Sequence, residues 1–147
     1  MANDADRDFR KDYRHTPPFD DFYRAGLFQL GEVRPDTEYT GDPNRPGPQK
    51  RDPVTGQLVW KITVTDPGER NPRRASYEVL LLSDTEPVPT TSEIAPGFRP
   101  IALTGLMVTY RVGGQGEFKY LTQTVRATGY APAPGRGSAG GPASKSA

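Results

Sequence analysis

Apolar and polar residues alternate along the middle of the chain, and this pattern predicts β-strands. In the segment QLVWKITVTD, residues 57–66, four large apolar residues take alternate positions: Leu58, Trp60, Ile62 and Val64. Residues two apart in a strand share a face, so these side chains predict the buried face of a strand. Trp60 is expected in the core with an acceptor for its indole N–H. The alternative for Trp60 is an exposed ring that stacks on a base.

Other segments carry the same strand character. Residues 26–35 (GLFQLGEVRP) predict a first strand, and the nearly continuous apolar run ASYEVLLLS at residues 75–83 predicts a central one. Residues 49–66 read as a hairpin that turns at residues 53–56. The segments IALTGLMVTYRV and EFKYLTQTVRATGY predict a long hairpin around GGQGE. The Pro-rich stretch at residues 87–100 reads as a loop.

Five or six strands without a long amphipathic helix predict an all-β domain at residues 26–130. A closed or nearly closed barrel removes sheet edges at this size, so a small OB-like barrel is expected, with a small sandwich as the competing architecture. Residues 1–25 are expected to form a flexible N-terminal arm with a short helix, which would end before Gly26. Residues 131–147 hold only small residues, Gly, Pro and two charges, and predict a disordered tail.

The composition narrows the class of function. The chain has no cysteine, no run of apolar residues long enough to span a membrane and no apolar stretch at its start, so a cytoplasmic protein without membrane contact is expected. The one histidine, His15, falls in the arm, and the acids Asp20 and Asp21 suit the first turn of a helix. We therefore predict no catalytic residue, no metal site and no cofactor, which favours a binding role.

Successive residues of a strand point to opposite faces, and we call this alternation the parity of the strand. Along the final hairpin, parity divides the side chains into two sets. The set expected to face the core is Leu106, Val108, Tyr110, Val112, Leu121, Val125 and Ala127. The set expected to face outwards is Met107, Thr109, Arg111, Phe118, Tyr120, Thr122, Thr124 and Arg126. Residues 45–74 and 99–130 are both net basic, so they form a positive face if they pair in space; ordinary solubilising charge is the alternative.

Flat rings beside cations suit single-stranded nucleic acid, because the rings stack on bases and the cations meet phosphates. The predicted contact residues on strands are Lys61, Arg111, Phe118, Tyr120 and Arg126. Three loop residues are expected to widen the contact: Arg51, Arg73 and Arg74. Packing or solvation of the same side chains is the alternative interpretation.

An ordered series of motifs resembles a known family. The segments are GLFQLGEVRP, QKRDPVTGQLVWKITVTDP, PVP, LTGLMVTYRV and VRATGY, which together span residues 26–130. In this order they resemble the small replication, integration and excision activator proteins of actinobacterial plasmids and mobile elements. The resemblance implies a non-enzymatic accessory regulator that promotes replication, integration or excision of such an element. It supplies no catalytic residues.

Two other functions stay open at this stage. One is an adaptor that recruits a replication initiator, an integrase or a polymerase through the acidic arm or an edge strand, without DNA contact. The other is a phage structural protein, since small all-β domains with Gly- and Pro-rich loops suit that role.

Overall fold

A computed structural model describes residues 13–132 of the chain. It contains one short helix, α1 (Phe19–Phe22), and a 3-10 turn at Pro72–Arg74. The strands are β1 (Leu27–Pro35), β2 (Val59–Thr65), β3 (Ser76–Leu82), β4 (Phe98–Ile101), β5 (Leu103–Thr104), β6 (Met107–Gln115), β7 (Phe118–Ala127) and β8 (Gly129–Tyr130). The predicted all-β class is confirmed.

Six strands form one sheet in the order β4-β1-β2-β3-β7-β6, and β5 pairs with β8 in a second, two-stranded sheet. Neighbours in the large sheet are antiparallel except β3 and β7, which run parallel. The hydrogen-bonded order ends at β4 and at β6, and no ladder joins those two strands within residues 13–132. Closure into a barrel therefore stays a prediction.

The core lies against one face of the large sheet. Ile62 and Val64 from β2 pack there with Val79 and Leu81 from β3, and all four are completely buried. This is the face that the alternation in β2 predicts. Val59, which has the opposite parity, is also buried, because the loop between β1 and β2 covers its end of the outer face and hydrogen-bonds to its carbonyl.

Trp60 is a partly buried residue at the margin of the core. Its indole N–H donates a 2.8 Å hydrogen bond to the carbonyl of Ser83, so the acceptor expected for a core tryptophan is present. The ring packs against core residues and belongs to the structure of the sheet.

The hairpin at residues 49–66 also matches its prediction. Arg51 and Leu58 form an antiparallel bridge, and the Gly56 amide donates to the Asp52 carbonyl at 2.7 Å across the turn. Gly56 has a φ of 76°, a conformation that glycine adopts without steric cost.

One strand lies inside a stretch that was expected to be a loop. β4 pairs with β1 through four residue pairs, from Leu27 with Ile101 to Leu30 with Phe98. The stacked rings of Phe28 and Phe98, with centroids 4.9 Å apart, fasten this pairing. Pro100 argues against a strand at this point of the sequence. β4 is, however, at the end of the sheet order, where a proline costs no ladder hydrogen bond.

The predicted long hairpin consists of β6 and β7. Its turn is Gly116-Glu117 between paired Gln115 and Phe118, and the φ of 60° at Gly116 fits the first central position of a type II′ turn. β7 meets β3 through only two residue pairs, Leu80 with Arg126 and Leu81 with Ala127. The distal part of the hairpin therefore projects beyond the sheet.

This projection overturns part of the predicted burial. Val108, Val125 and Ala127 are buried as expected, but three residues expected in the core are exposed: Tyr110, Val112 and Leu121. Their parity is the predicted one, since they share a face with the buried valines. They are exposed because the body of the sheet does not extend to the distal part of the hairpin.

The segment before β1 packs on the sheet. α1 forms where the aromatic spacing predicts it, and Tyr23 just after it is buried in the core. The Gly26 amide then donates to the Tyr23 carbonyl at a φ of 84°. The predicted flexible arm before residue 13 and the predicted disordered tail after residue 132 lie outside the described residues. No helix in residues 13–132 has the length and apolar character needed to cross a bilayer.

Candidate nucleic-acid interface

Two aromatic rings stand exposed on one face of β7. Phe118 is 84% exposed and Tyr120 is 57% exposed, as the parity of the hairpin predicts. Thr122 continues the same row, and residues two apart along a strand are about 7 Å apart. Arg111 faces the same side because it pairs directly with Thr122 across the hairpin. The rings and this guanidinium therefore share one surface, which we call the hairpin face (Arg111, Phe118, Tyr120 and Thr122).

Gly113 leaves room for the Tyr120 ring on this surface. The two residues are direct partners in the β6–β7 ladder. A Cβ atom at position 113 would lie 2.8 Å from Cε2 and 2.9 Å from Cζ of Tyr120, so the ring occupies the space that a side chain at position 113 would need. A side chain at position 113 would force the ring to move.

A cleft of about 600 Å³ opens beside the hairpin face, where β3 and β7 separate. Its walls come from α1, from β3, from β7 and from the loop between β2 and β3. The lining residues are Phe22, Asp66, Glu69, Arg73, Arg74, Ser76, Tyr77, Glu78, Leu121, Thr122 and Gln123. Arg73 and Arg74 are exposed on the 3-10 turn, and they line the cleft together with Thr122.

The acids of the cleft are partly engaged with the protein. Asp66 accepts from the Gly68 amide, and Glu69 accepts from the Asn71 amide. Glu78 pairs with Arg34 at 2.6 Å. The cleft thus presents two arginines beside three carboxylates that accept from local donors, and it adjoins the hairpin face at Thr122.

Lys61 and Arg126 occupy a different part of the molecule. The register places Lys61 opposite Leu80, and Leu80 opposite Arg126, so both cations stand in one row across the outer face of the sheet. Arg126 is six residues from Tyr120 along β7, a separation of about 20 Å. The predicted single patch is therefore divided into two.

The expectation that Arg126 turns freely to solvent is wrong. Its side chain is only 20% exposed, with Nε 3.8 Å from Asp52 and Nη1 donating to Thr109 Oγ1 at 3.3 Å. Burial lowers the pKa of the Arg126 guanidinium, and the nearby charge of Arg14 adds to this effect. Lys61 lies 3.8 Å from Asp36 and is about two-thirds covered. Arg126 and Lys61 therefore form ion pairs within the protein.

Asp52 is the shared counterion of Arg14 and Arg126. Arg14 reaches both of its carboxylate oxygens, at 2.6 Å and 2.9 Å, and the Thr55 amide donates to it at 2.9 Å. Burial alone would raise the pKa of Asp52, but the hydrogen bonds from Arg14 and Thr55 outweigh burial and lower the pKa to about 2. Asp52 is thus ionised at neutral pH and compensates the buried arginines.

Arg51, the remaining predicted contact residue, belongs to the same end of the sheet. It donates to the Gly56 carbonyl at 2.8 Å and lies 3.7 Å from Asp84. The structure therefore places three of the predicted residues on the hairpin face (Arg111, Phe118 and Tyr120) and two in the adjoining cleft (Arg73 and Arg74). It places three elsewhere: Arg51, Lys61 and Arg126.

Sequence reasoning missed both Arg14 and Asp52. The turn motif Asp-Pro-Val-Thr-Gly predicts that Asp52 caps a turn, but no local signal joins it to an arginine 38 residues earlier. Within residues 13–132, no group of histidines and acids is arranged to hold a metal ion. Comparisons of the chain with protein-family models, with curated proteins and with solved structures found no match.

Proposed function

We propose that this chain is a non-enzymatic accessory regulator that promotes replication, integration or excision of an actinobacterial plasmid or integrative conjugative element. It acts in the cytoplasm by binding single-stranded DNA on the hairpin face and in the adjoining cleft. The ordered motifs that resemble activator proteins of such elements support the biological role. A replication initiator or an integrase is the protein partner that this role implies.

The observation that carries the DNA-binding proposal is the pair of exposed rings on the hairpin face, which adjoins the arginine-bearing cleft at Thr122. Phe118 and Tyr120 offer two stacking surfaces about 7 Å apart. Arg73 and Arg74 line this cleft, and their guanidinium groups supply the positive charge that phosphates need. Rings of this kind suit single strands, because a duplex keeps its bases stacked inside.

Fluorescence titration of labelled single-stranded oligonucleotides tests the proposal. Each ring contributes about 1–3 kcal/mol by stacking, so the double variant Phe118→Ala, Tyr120→Ala is expected to weaken binding at least tenfold. Tyr39→Ala is the matched control, since Tyr39 is 91% exposed on a loop away from the cleft. Absence of binding even at low salt, or equal loss in the control, would remove the DNA-binding proposal.

A further inference from the structure

The N-terminal segment lies along the outer edge of β6. His15 and Val108 exchange main-chain hydrogen bonds of 2.8 Å and 2.7 Å in an antiparallel bridge. The His15 ring contacts the rings of Tyr110 and Tyr13, with centroids 5.6 Å and 4.8 Å away. The Arg14 side chain turns to the other side, towards the outer face of the sheet. Side chains alternate in this way along extended backbone, so these residues already run beside β6 as a strand would.

The bridge sets the direction and the register for the residues that precede it. Because the pairing is antiparallel, an extension of the chain before Tyr13 points towards the tip of the β6–β7 hairpin. Partners in an antiparallel ladder recede from a bridge one residue at a time on each strand. In this register, Lys11 is the partner of Val112, and Asp12 is the partner of Arg111.

The edge in the path of this extension presents an apolar groove. Tyr110, Val112 and Leu121 are exposed and, with Arg111, line a groove of about 720 Å³. Like the bridged residue of β6, Tyr110 and Val112 direct their main-chain N–H and C=O groups away from β7. Gly114 has a φ of 86°, which departs from extended backbone. The edge available for pairing therefore ends at Val112.

The sequence before Tyr13 has the side chains that this surface needs. It reads MANDADRDFRKD, and strand alternation puts Phe9 and Lys11 on the side of the groove. Phe9 is the one aromatic residue of this stretch, and the aliphatic stem of Lys11 suits contact with an exposed valine. Asp12 has the opposite parity and comes opposite Arg111. Opposite charges directly across a strand pair stabilise the pairing.

We propose that residues 1–12 dock on this edge of their own chain. Residues 11 and 12 extend the ladder from the His15 bridge as far as Val112, and the Phe9 ring covers the groove. The surface is smaller than the roughly 1,200 Å² that stable complexes of separate molecules bury. A tethered segment does not lose the translational freedom of a separate molecule, so a smaller contact suffices.

The docked segment also affects the hairpin face, and this consequence rests on the proposed function. Arg111 belongs to the hairpin face, where a cation attracts the phosphates of DNA. The Asp12 carboxylate opposite Arg111 offsets that charge. The N-terminal segment therefore competes with DNA for one of the cations of the hairpin face and weakens binding.

Disulfide formation in the full chain, without DNA, tests the docking and its register. The chain has no cysteine, so Lys11→Cys with Val112→Cys introduces one pair of thiols. Hydrogen-bonded partners in antiparallel strands have Cα atoms about 5.5 Å apart, within the range that a disulfide spans. Val112 is 69% exposed, so its replacement leaves the core intact.

The matched control moves one thiol by a single residue. In Arg10→Cys with Val112→Cys the two thiols point to opposite faces of the ladder. In a glutathione buffer, the Lys11→Cys pair should form its intramolecular disulfide with an equilibrium constant at least tenfold larger than that of the control. Equal constants in the two variants would show a segment without fixed register and overturn the proposal.

Titration of a labelled single-stranded oligonucleotide at low salt tests the effect on DNA binding. Asp12→Asn should tighten binding about fivefold, because it removes one carboxylate beside Arg111. Asp4→Asn makes the same charge change farther from the bridge and should alter affinity less than twofold. In an Arg111→Ala background, Asp12→Asn should have no further effect.

The two experiments separate this inference from the proposed function. Equal effects of Asp12→Asn and Asp4→Asn would contradict the pairing of Asp12 with Arg111 and overturn the register. Absence of DNA binding in every variant would remove the proposed function, and the disulfide equilibrium would still decide whether residues 1–12 dock on β6.

Discussion

The guanidinium of Arg14 contacts both carboxylate oxygens of Asp52, although the two residues are 38 positions apart. The Arg14 side chain is 12% exposed and that of Asp52 is 2% exposed. Two-point contact between planar groups fixes their relative orientation as well as their distance. This pair fastens the segment before α1 to the turn at residues 53–56, beside β6 and β7.

Removal of the carboxylate should destabilise the fold. Asp52→Ala leaves Arg14 and Arg126 without their shared counterion and the Thr55 amide without its acceptor. We expect the free energy of unfolding to fall by about 3 kcal/mol, as for other broken buried ion pairs. Urea denaturation measures this change. Asp84→Asn is the control, since Asp84 forms an exposed pair and should alter stability by less than about 1 kcal/mol.

The same carboxylate should make stability depend on pH. The pKa of Asp52 is lowered to about 2 in the folded protein from an ordinary value of 3.8. A lowered folded pKa contributes stability that is complete above the unfolded value and is lost as pH falls towards the folded one. The stability difference between the native chain and Asp52→Asn should therefore be constant above about pH 5 and shrink between about pH 4 and pH 2. A difference that grows over this acid range would contradict the assignment.

The arginines of the cleft should appear in the salt dependence of DNA binding. For single strands, log K falls with log salt by about 0.7 for each phosphate contact. Arg73→Ala and Arg74→Ala should each reduce the slope by about this amount and leave the preference among sequences unchanged. Arg45→Ala, on the loop between β1 and β2, provides a control of equal charge change. If the slope of log K against log salt is unchanged in both cleft variants, the DNA phosphates do not contact these arginines.

A methyl group under Tyr120 should separate binding from stability. Gly113→Ala pushes the ring from its position, because the added atom would approach the ring to 2.8 Å. The Tyr120 side chain is 57% exposed, so unfolding free energy should change by less than about 1 kcal/mol while DNA affinity falls several-fold. Oligonucleotide titration and urea denaturation of the same sample give both values. In a Tyr120→Ala background the glycine substitution should have no further effect on affinity.

Trp60 should prove structural. Trp60→Phe removes the hydrogen bond to the Ser83 carbonyl and leaves that acceptor without its donor. We expect a loss of about 1–2 kcal/mol in unfolding free energy and no more than a twofold change in affinity for a labelled oligonucleotide. A tenfold loss of affinity for the oligonucleotide with unchanged stability would instead indicate that Trp60 stacks on a base.

Local pattern predicts the strands well because alternation and turn residues act within a few positions. β2, β3 and the β6–β7 hairpin follow this rule, and so do the turns at Gly56 and Gly116, where φ is positive. Local pattern does not predict β4, because this strand forms by pairing with β1, about 70 positions away in the sequence. Parity also identifies which side chains of β6 and β7 share a face.

Parity does not tell how far the core extends along that face. Val108 is buried and Val112 is exposed on the same strand face, because β7 leaves β3 after two residue pairs. The same limit explains the divided site. Lys61 and Arg126 have outward parity, but the loop at residues 36–58 carries Asp36 and Asp52 onto them. The sequence of the strands does not indicate that this loop covers Lys61 and Arg126.

The short parallel ladder between β3 and β7 has a kinetic consequence. β1, β2 and β3 are successive antiparallel neighbours joined by the segments at residues 36–58 and 66–75, and β6 and β7 form a tight hairpin, so each group pairs strands that are consecutive in the sequence. The two groups meet only when Leu80 and Leu81 reach Arg126 and Ala127 from a distant part of the chain. Bringing such remote segments together is slow, so docking of the C-terminal hairpin onto the completed meander should limit the rate of refolding.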